Sequence, residues 1–441
     1  MNQILKTGQR VTTDSSRVEC VIGDFLGGGG QGEVYRAEMD GRQVALKWYL
    51  LSCATARQRA SLETLIRKGA PTNRFLWPVE LVSSPGIPGF GYIMALREPR
   101  YHGISSLMKR RIDPSFRALA TAGFGLAHSF LHLHSQGLCY RDISFGNIFF
   151  DPQSGEVVIC DNDNVTVDGD PASGILGTPR FMAPEVVRGD ALPSTQTDLF
   201  SLAVLLFYLF MVHHPLEGRR ELAIHSFDLP AMTRLYGTDP LFIFDPADRS
   251  NEPVPGHHDN ALLSWPIYPQ FLRELFTRSF TEGLRNSEHG RVREGEWRAA
   301  MIRLRDSILY CSACGTENFY DADALRARAG DPGGCWACGA PIQLPYRLRI
   351  GRSTVMLNHD TRLFPHHVDE QTPNDFSSPI AEITVHPEHP GVWGLKNLSA
   401  EKWCFSKPGD PTPLEVLPGR AMRLDSGVRI NFGKLEGEVR V

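Results

Sequence analysis

The carboxylate of Asp142 and the amide of Asn147 stand five positions apart, in the segment YRDISFGN at residues 140–147. This pair suits phosphoryl transfer, because a carboxylate can take the proton of a substrate hydroxyl while an amide oxygen holds a magnesium ion against the phosphates. A polar loop after a helix could contain the same residues without any catalytic role. The segment therefore depends on support from motifs elsewhere in the chain.

A glycine-rich segment upstream, FLGGGGQGEVY, places Gly27, Gly29 and Gly32 in the spacing GxGxxG, with Val34 after them. Glycines let backbone N–H groups approach phosphate oxygens without a Cβ in the way. We expect a phosphate-binding loop here, although an ordinary flexible hairpin could have the same sequence.

Lys47 ends the apolar, strand-like run of residues 44–46, fifteen residues beyond the last of these glycines. From this position it can reach the α and β phosphates as a point charge, although it could also be a solvated strand end. Glu63 is the single acid in the helix predicted from about residue 54 to 68, which makes it the candidate partner of Lys47. The alternative is a pair within the helix, with Arg59 or Arg67, worth only about 0.3 to 0.5 kcal/mol.

Downstream of Asn147, residues 157–160 predict a buried strand that ends at Asp161, where a second metal-binding carboxylate is expected. Asp163 follows two positions later, and one of the two aspartates could serve only as a turn residue. The segment GILGTPRFMAPE then contains Gly177-Thr178 and Ala183-Pro184-Glu185. Its glycine and prolines indicate an ordered surface loop.

In this order the motifs resemble the signature set of the protein kinase family, over residues from about 20 to 305. The resemblance implies Asp142 as catalytic base and Asn147 and Asp161 as magnesium ligands. It implies Lys47 on the phosphates, with Glu63 as its ion-pair partner. The ATP contacts that it implies come from Gly27, Gly29, Gly32, Val34, Ala45 and Lys47. It further implies that Glu185 pairs with Arg291 and that Asp198 holds the backbone of the catalytic loop.

Three positions depart from the family pattern. Tyr140 replaces the family's His, Ser144 replaces a Lys, and Asp161-Asn162-Asp163 replaces Asp-Phe-Gly. Loss of the Lys removes a cation that would stabilise transferred charge, which affects the expected rate. Every group that contacts metal, proton or phosphate is present, so we favour an active kinase. The alternative is a nucleotide-binding pseudokinase scaffold that docks partners through its C-terminal region.

Gly177-Thr178 before Pro179 resembles serine/threonine kinases, in which this Thr bonds to the catalytic Asp. The expected reaction is transfer of the γ-phosphate of ATP to Ser or Thr hydroxyls of a protein substrate, with autophosphorylation left open. Thr166, Ser173 and Thr178 are hydroxyls that could be phosphorylated or could cap turns. A small-molecule phosphotransferase would lack the segment from Gly177 to Glu185, which argues against that class.

Composition predicts a cytoplasmic protein of two to four domains. The chain has 441 residues, a net charge of −4 and a pI near 6.4, which give no reason to expect nucleic acid or an anionic membrane. The first ten residues lack the apolar region of a signal peptide. The most apolar run, residues 200–212, is shorter than the roughly 20 residues needed to span a bilayer. His132 and His134, at the end of an apolar helix, are expected to be surface groups.

Four of the nine cysteines form two CxxC pairs, CSACG and CWACG, each followed by a glycine. Two such turns can complete a tetrahedral zinc site, which we expect to be structural because protein fills all four positions. Disulfides are the alternative, which a cytosolic location disfavours. The predicted ligands are Cys311, Cys314, Cys335 and Cys338.

From about residue 345 the chain has short alternating strands with frequent turns, which predict a β-sandwich. IGRS, LKNLS and INFG resemble a forkhead-associated domain, in which Arg352 would bind phosphate. The family's Ser-x-x-His and Thr-Asn-Gly-Thr are missing, so docking is favoured over phosphopeptide capture. This architecture resembles bacterial kinases of the tellurite-resistance-associated triad, which implies a von Willebrand A-type protein and a metal-dependent phosphatase as partners.

The whole chain is thus predicted to be α+β. A bilobal protein kinase fold is expected over residues 1–97 and 98–308, a zinc ribbon over 309–344, and a small all-β sandwich over 345–441. The implied cofactors are ATP, Mg²⁺ and a structural Zn²⁺.

Overall fold

The structure is a computed structural model that describes residues 3–169, 177–389 and 391–441. The chain divides into two compact units, the first formed by residues 1–265 and 274–298 and the second by residues 266–273 and 299–441. Within the described ranges, no helix combines the length and the apolar character needed to cross a membrane. The domain boundaries predicted above stay predictions.

The first unit begins with a closed barrel of six strands in the order β1-β2-β3-β4-β6-β5. The strands are β1 Arg10–Thr13, β2 Glu19–Gly28, β3 Gly32–Met39, β4 Arg42–Tyr49, β5 Glu80–Ser83 and β6 Gly91–Ala95. Helix α1, Ala56–Lys68, follows β4 and is capped at its start by the Thr55 side chain. Its predicted extent was residues 54 to 68, so the helix is confirmed to within two residues.

Strand β4 lies between β3 and β6, and its residues from Ala45 to Tyr49 are buried. Two glycines allow this tight packing. A Cβ on Gly32 would lie 2.3 Å from the Trp48 carbonyl oxygen, and one on Gly91 would lie 2.3 Å from the Lys47 carbonyl oxygen. The close approach of both neighbours fixes the backbone of Lys47.

The remainder of the first unit is mainly helical around a buried central helix. The helices are α2 Ile104–Met108, α3 Phe116–Ser135, α4 Pro184–Val187, α5 Thr195–Met211, α6 Arg219–Leu222, α7 Leu229–Thr233, α8 Asp259–Ser264, α9 Gln270–Phe280, α10 Glu282–Arg285 and α11 Glu294–Asp306. Residues 270–273 of α9 and 299–306 of α11 are assigned to the second unit. Short strands are β7 His102–Gly103, β8 Leu138–Cys139, β9 Ile148–Phe150, β10 Val157–Ile159 and β11 Thr166–Val167. Short 3₁₀ or π turns are Asn162–Asn164, Arg234–Thr238 and Arg249–Asn251.

Helix α5 is the predicted central helix. Every residue from Thr197 to Met211 is buried, which fits a helix that is apolar on all sides. The Ser194 and Thr197 side chains form a reciprocal cap at its start, so its first turn is fixed. That turn contains Asp198.

The second unit starts with a small hairpin and continues as two sheets. The hairpin comprises β12 Ile308–Tyr310 and β13 Glu317–Phe319, followed by α12 Ala322–Ala327. The later elements are β14 Arg347–Ile350, β15 Ser353–Met356, β16 Arg362–Leu363, α13 Pro365–Val368, β17 Ala381–Val385, β18 Trp393–Asn397, β19 Trp403–Lys407, β20 Asp410–Val416, β21 Ala421–Arg423, β22 Arg429–Asn431 and β23 Glu436–Arg440.

The strands of the second unit form a six-stranded sheet, β15-β14-β23-β22-β19-β20, and a four-stranded sheet, β16-β17-β18-β21. Leu348 and Ile430 of the first sheet share one buried cluster with Leu395 and Met422 of the second. The C-terminal region is therefore β-rich, with two sheets that bury a common core, as the predicted sandwich requires.

Candidate functional site

A cleft of about 740 Å³ lies in the first unit, a size that suits a small-molecule ligand. Its lining includes the glycine segment Leu26 to Gly32 together with Val34, Ala45, Lys47, Met94, Leu96, Asp142, Phe149, Cys160, Asp161 and Asn164. The candidate ATP contacts and two of the candidate catalytic carboxylates thus share one cavity, although they come from distant parts of the sequence.

Asp142 lies at the centre of a small hydrogen-bond network. One carboxylate oxygen accepts from Thr178 Oγ1 at 2.8 Å, and the other accepts from Asn147 Nδ2 at 3.1 Å. The same Asn147 nitrogen donates to the Asp142 carbonyl oxygen at 2.8 Å. Because the amide nitrogen is used in this way, Oδ1 is the Asn147 atom that could hold a metal.

The backbone around Asp142 is held from below by the buried carboxylate of Asp198. Its oxygens accept from the backbone N–H groups of Tyr140 at 2.5 Å and Arg141 at 3.0 Å. Arg141 has φ 74, a left-handed conformation that costs energy for a residue with a Cβ. The contact between Asp198 and the catalytic loop, implied by the family resemblance, is present, and it stabilises this strained backbone.

His134 is buried, so the prediction that it lies at the surface is wrong. Its side chain is only 9% exposed, with Nε2 3.2 Å from Asp198 and Nδ1 bonded to Glu294. Burial alone would lower the pKa of His134, but the two carboxylates outweigh it and raise the pKa to about 9. Protonated His134 thus orients the Asp198 carboxylate toward the backbone of Tyr140 and Arg141.

Tyr140, one of the departures from the family pattern, connects the segment of Asp142 with the segment of Asp161. Its hydroxyl donates to the carbonyl oxygen of Cys160, the residue before Asp161. The ring packs edge-on against Phe130, with centroids 5.7 Å apart. Tyr140 therefore ties the catalytic loop to the strand end that presents Asp161.

The predicted ion pair between Lys47 and Glu63 is not present. Glu63 is half exposed and lies 3.4 Å from Arg59, the alternative weighed above. The Lys47 Nζ instead lies 2.8 Å from Asp163 and 3.6 Å from Asp161. The sequence favoured Glu63 because it is the single acid on α1, but the helix directs it away from the lysine.

The two neighbouring aspartates have different environments. The Asp161 side chain is 39% exposed and lines the cleft, whereas the Asp163 side chain is fully buried. Burial raises the pKa of Asp161, with the Asp163 charge adding to the effect. Asp161 is thus placed where a cation could bind, and Asp163 is not a mere turn residue.

Gln31 is a further residue of the site, and the glycine motif does not predict it. Its side-chain oxygen accepts from Lys47 Nζ at 3.2 Å, and its nitrogen donates to Asn164 Oδ1 at 3.1 Å. The variable position of a glycine motif gives no signal for this role. Gln31 links the glycine segment to the lysine and to the turn after Asp161.

Glu185 and Arg291 form the pair implied by the resemblance, through two contacts of 2.7 and 2.8 Å. The arginine also donates to the Gln196 carbonyl oxygen at 2.7 Å, at the start of α5. Both contacts come from Arg291 Nη2, and this charge-assisted pair fixes the end of the segment that contains Thr178. Of the other candidate hydroxyls, Thr166 lies in β11 beside Cys139, and Ser173 lies outside the described residues.

In the second unit, Cys311, Cys314, Cys335 and Cys338 converge, with their sulfurs within 4.8 Å of one another. The Cys311–Cys338 and Cys314–Cys335 sulfur distances are both 3.7 Å, close to the edge of a tetrahedron with Zn–S bonds of about 2.3 Å. Gly315 and Gly339 have φ 73 and 74, so each pair is followed by the left-handed turn that glycine permits. The donor set fits zinc.

The chain is similar in sequence to known protein kinases. The sequence profile described as the protein kinase domain matches residues 104–254. The DNA damage-responsive serine/threonine-protein kinase RqkA of Deinococcus radiodurans is 29% identical over 212 residues, 45% of this chain and 31% of the relative. The serine/threonine-protein kinase PknD of Chlamydia felis is 29% identical over 241 residues, 44% of this chain and 24% of the relative.

A eukaryotic relative, protein kinase MCK1 of Saccharomyces cerevisiae, is 24% identical over 182 residues, 40% of this chain and 45% of the relative. The matches span less than half of the length of each of these relatives. Residues 104–254 thus match the protein kinase domain, with serine/threonine kinases among the relatives, and this range includes the segment from Tyr140 to Asn147.

The charged state of His134 makes the first unit sensitive to alkaline pH. Its pKa of about 9, against 6.5 unperturbed, stabilises the fold fully below pH 6.5, and this stabilisation is lost as the pH rises through 9. The shift corresponds to roughly 3 kcal/mol. We expect His134→Gln to lower the urea concentration at the midpoint of unfolding of the first unit at pH 6.5. The midpoint of this variant should fall less than that of the wild type as the pH rises toward 9.5.

The matched control is His132→Gln, because His132 lies on the same helix and is exposed. We expect its midpoint and pH profile to follow the wild type. An equal loss in both variants, or an unchanged profile in His134→Gln, would contradict the proposed charge of His134.

Proposed function

We propose that this protein, through its protein kinase domain, transfers the γ-phosphate of ATP to Ser or Thr hydroxyls of a protein substrate. The observation that carries this proposal is the position of Asp142, which borders the cleft and contacts both Thr178 and Asn147. The proposed base, the Asp142 carboxylate, thus accepts hydrogen bonds from the Asn147 amide and the Thr178 hydroxyl.

Each residue has a chemical task in this proposal. Asp142 accepts the proton of the substrate hydroxyl as the oxygen attacks phosphorus, and Lys47 neutralises charge on the phosphates. Asn147 Oδ1 and the Asp161 carboxylate would hold Mg²⁺, which supplies charge neutralisation at the transferred group. Gly27 and Gly29 have open space where a Cβ would lie, which leaves room for the phosphate chain, whereas Gly32 is required by the close packing on Trp48. Val34 and Ala45 border the same cleft.

The preference for Ser and Thr is supported by Thr178. Its hydroxyl donates to Asp142 at 2.8 Å, the contact that the serine/threonine resemblance implies. The relatives whose printed names include serine/threonine kinase point the same way. A pseudokinase scaffold is disfavoured, because the groups for proton, metal and phosphate are all retained.

Asp142→Asn should reduce phosphate transfer by roughly 10³-fold, because an amide cannot accept the substrate proton. The measurement is incorporation of radiolabelled phosphate from ATP into the protein itself and into casein. Asp113→Asn, a change at an exposed aspartate outside the cleft lining, serves as control and should match the wild type. A wild type that labels neither protein, or an Asp142→Asn variant that labels equally, would refute the kinase activity.

We further propose that the four-cysteine cluster binds structural zinc and that the β-rich region docks partner proteins. The sulfur geometry supports the zinc site, and full ligation by protein leaves no position for catalysis. A von Willebrand A-type protein and a metal-dependent phosphatase are the partners that the domain resemblance suggests. Arg352, the candidate phosphate contact of the sandwich, is exposed after β14.

Cys311→Ser should remove most of the bound zinc and lower the unfolding midpoint of the second unit, because metal binding contributes directly to folding. The metal content is measured by atomic emission on the full chain, with about one zinc per chain expected in the wild type. Cys404→Ser, a change at an isolated cysteine in β19, should keep its zinc. Equal zinc in both variants would contradict the site.

A further inference from the structure

The site around Lys47 is built by three residues from one face of the barrel. Lys47 and Tyr49 alternate along β4, and Tyr92 of β6 pairs directly with Lys47 across the strands. Side chains two apart on a strand, and those directly opposite on its neighbour, point to the same side. Consequently an ammonium and two phenol hydroxyls converge on a single buried point.

Asp163 occupies that point. Its oxygens lie 2.8 and 3.0 Å from Lys47 Nζ, and they accept from the hydroxyls of Tyr49 at 2.5 Å and Tyr92 at 3.1 Å. A buried carboxylate is costly unless it is paired and hydrogen-bonded, and here both conditions are met. Both partners are inaccessible, with the Lys47 side chain only 4% exposed and that of Asp163 0% exposed.

Helix α1 faces this cluster with a neutral residue. Gln58 donates to the Tyr49 hydroxyl at 3.1 Å and to the Asp163 carbonyl oxygen at 3.4 Å. Glu63, one and a half turns later, is engaged with Arg59, which also contacts Asp14. An amide cannot balance the lysine charge, so the counter-charge comes from the segment after β10 and not from the helix.

We propose that Asp163 is the positioning residue that holds Lys47 toward the phosphates, in the role that the sequence assigned to Glu63. This inference rests on the proposed kinase function. It places the counter-ion of Lys47 two residues from Asp161, the candidate magnesium ligand. One short segment therefore sets both the cation that contacts phosphate and the carboxylate that holds metal.

The segment itself is firmly anchored. The Asn162 side chain donates to the carbonyl oxygens of Leu76 and Ile159, both at 2.9 Å. The replacement of Phe and Gly by Asn162 and Asp163 thus gains a physical reason, since one anchors the turn and the other pairs with the lysine.

The test compares Asp163→Asn with Glu63→Gln in the full-length protein. We expect Asp163→Asn to lower kcat/KM for ATP by roughly 100-fold, the scale for loss of one preorganised electrostatic contact, and Glu63→Gln to remain within about threefold of wild type. Calorimetry should show weaker ATP binding by Asp163→Asn with unchanged adenosine binding. A purely structural role would weaken both ligands.

Equal losses in the two variants, or a selective loss in Glu63→Gln, would overturn the assignment. If the wild type transfers no phosphate, the kinase proposal fails, while the ATP and adenosine affinities still test Asp163. The two failures are therefore distinguishable.

A second set of variants covers the case in which Asp163→Asn does not fold, since it leaves a buried lysine charge unpaired. The double variant Lys47→Met/Asp163→Asn removes both charges. We expect it to unfold cooperatively and to bind ATP with the same affinity as the Lys47→Met variant. A further loss of ATP affinity on adding Asp163→Asn to Lys47→Met, or a double variant that still fails to fold, would show that Asp163 acts independently of the lysine.

Discussion

The proposed active site depends on a buried carboxylate, Asp198, that accepts two backbone hydrogen bonds from the loop that contains Asp142. The loop could not keep the left-handed Arg141 and the inward Asp142 without such a contact, because strained backbone persists only where its surroundings enforce it. Asp198 is itself fixed twice, by the buried helix α5 and by His134. Hydrogen bonds from the buried core thus fix the position of Asp142, the proposed base.

The three departures from the kinase pattern lie in this loop or in the segment after β10, and two of them are explained by contacts. Tyr140 bonds to the Cys160 carbonyl oxygen, and so links the catalytic loop to the Asp161 strand end. Asn162 and Asp163 anchor the next turn and pair with Lys47. Ser144 is buried, and nothing in the structure explains its replacement of a lysine.

Much of the site was predictable because its motifs are local. The glycine spacing, the Asp142–Asn147 interval and the two CxxC pairs each place their residues within a few positions, so short-range geometry brings them together. The partners of Lys47 and His134 were not predictable in this way. Lys47 and Asp163 are separated by 116 positions, and His134 and Glu294 by 160. Sequence alone identifies acids on a helix but not the direction in which the helix turns them.

The β-rich unit shows the same dependence on distant contacts. Met356 at the end of β15 lies in one apolar cluster with Cys311 and Cys335, so the candidate zinc ligands share their core with a sheet strand. The Asn358 side chain donates to the Ile308 carbonyl oxygen at 2.7 Å, at the strand that leads into Cys311.

A second contact joins α13 to the end of α11, between His367 and Asp306 at 3.2 Å. Because the Asn358 contact and the apolar cluster join the sheet to the hairpin that carries Cys311, metal bound at the cysteines would stabilise the neighbouring sheet as well as the hairpin. The contacts between the hairpin and the sheets would thereby couple zinc binding at the four cysteines to the stability of the β-rich region.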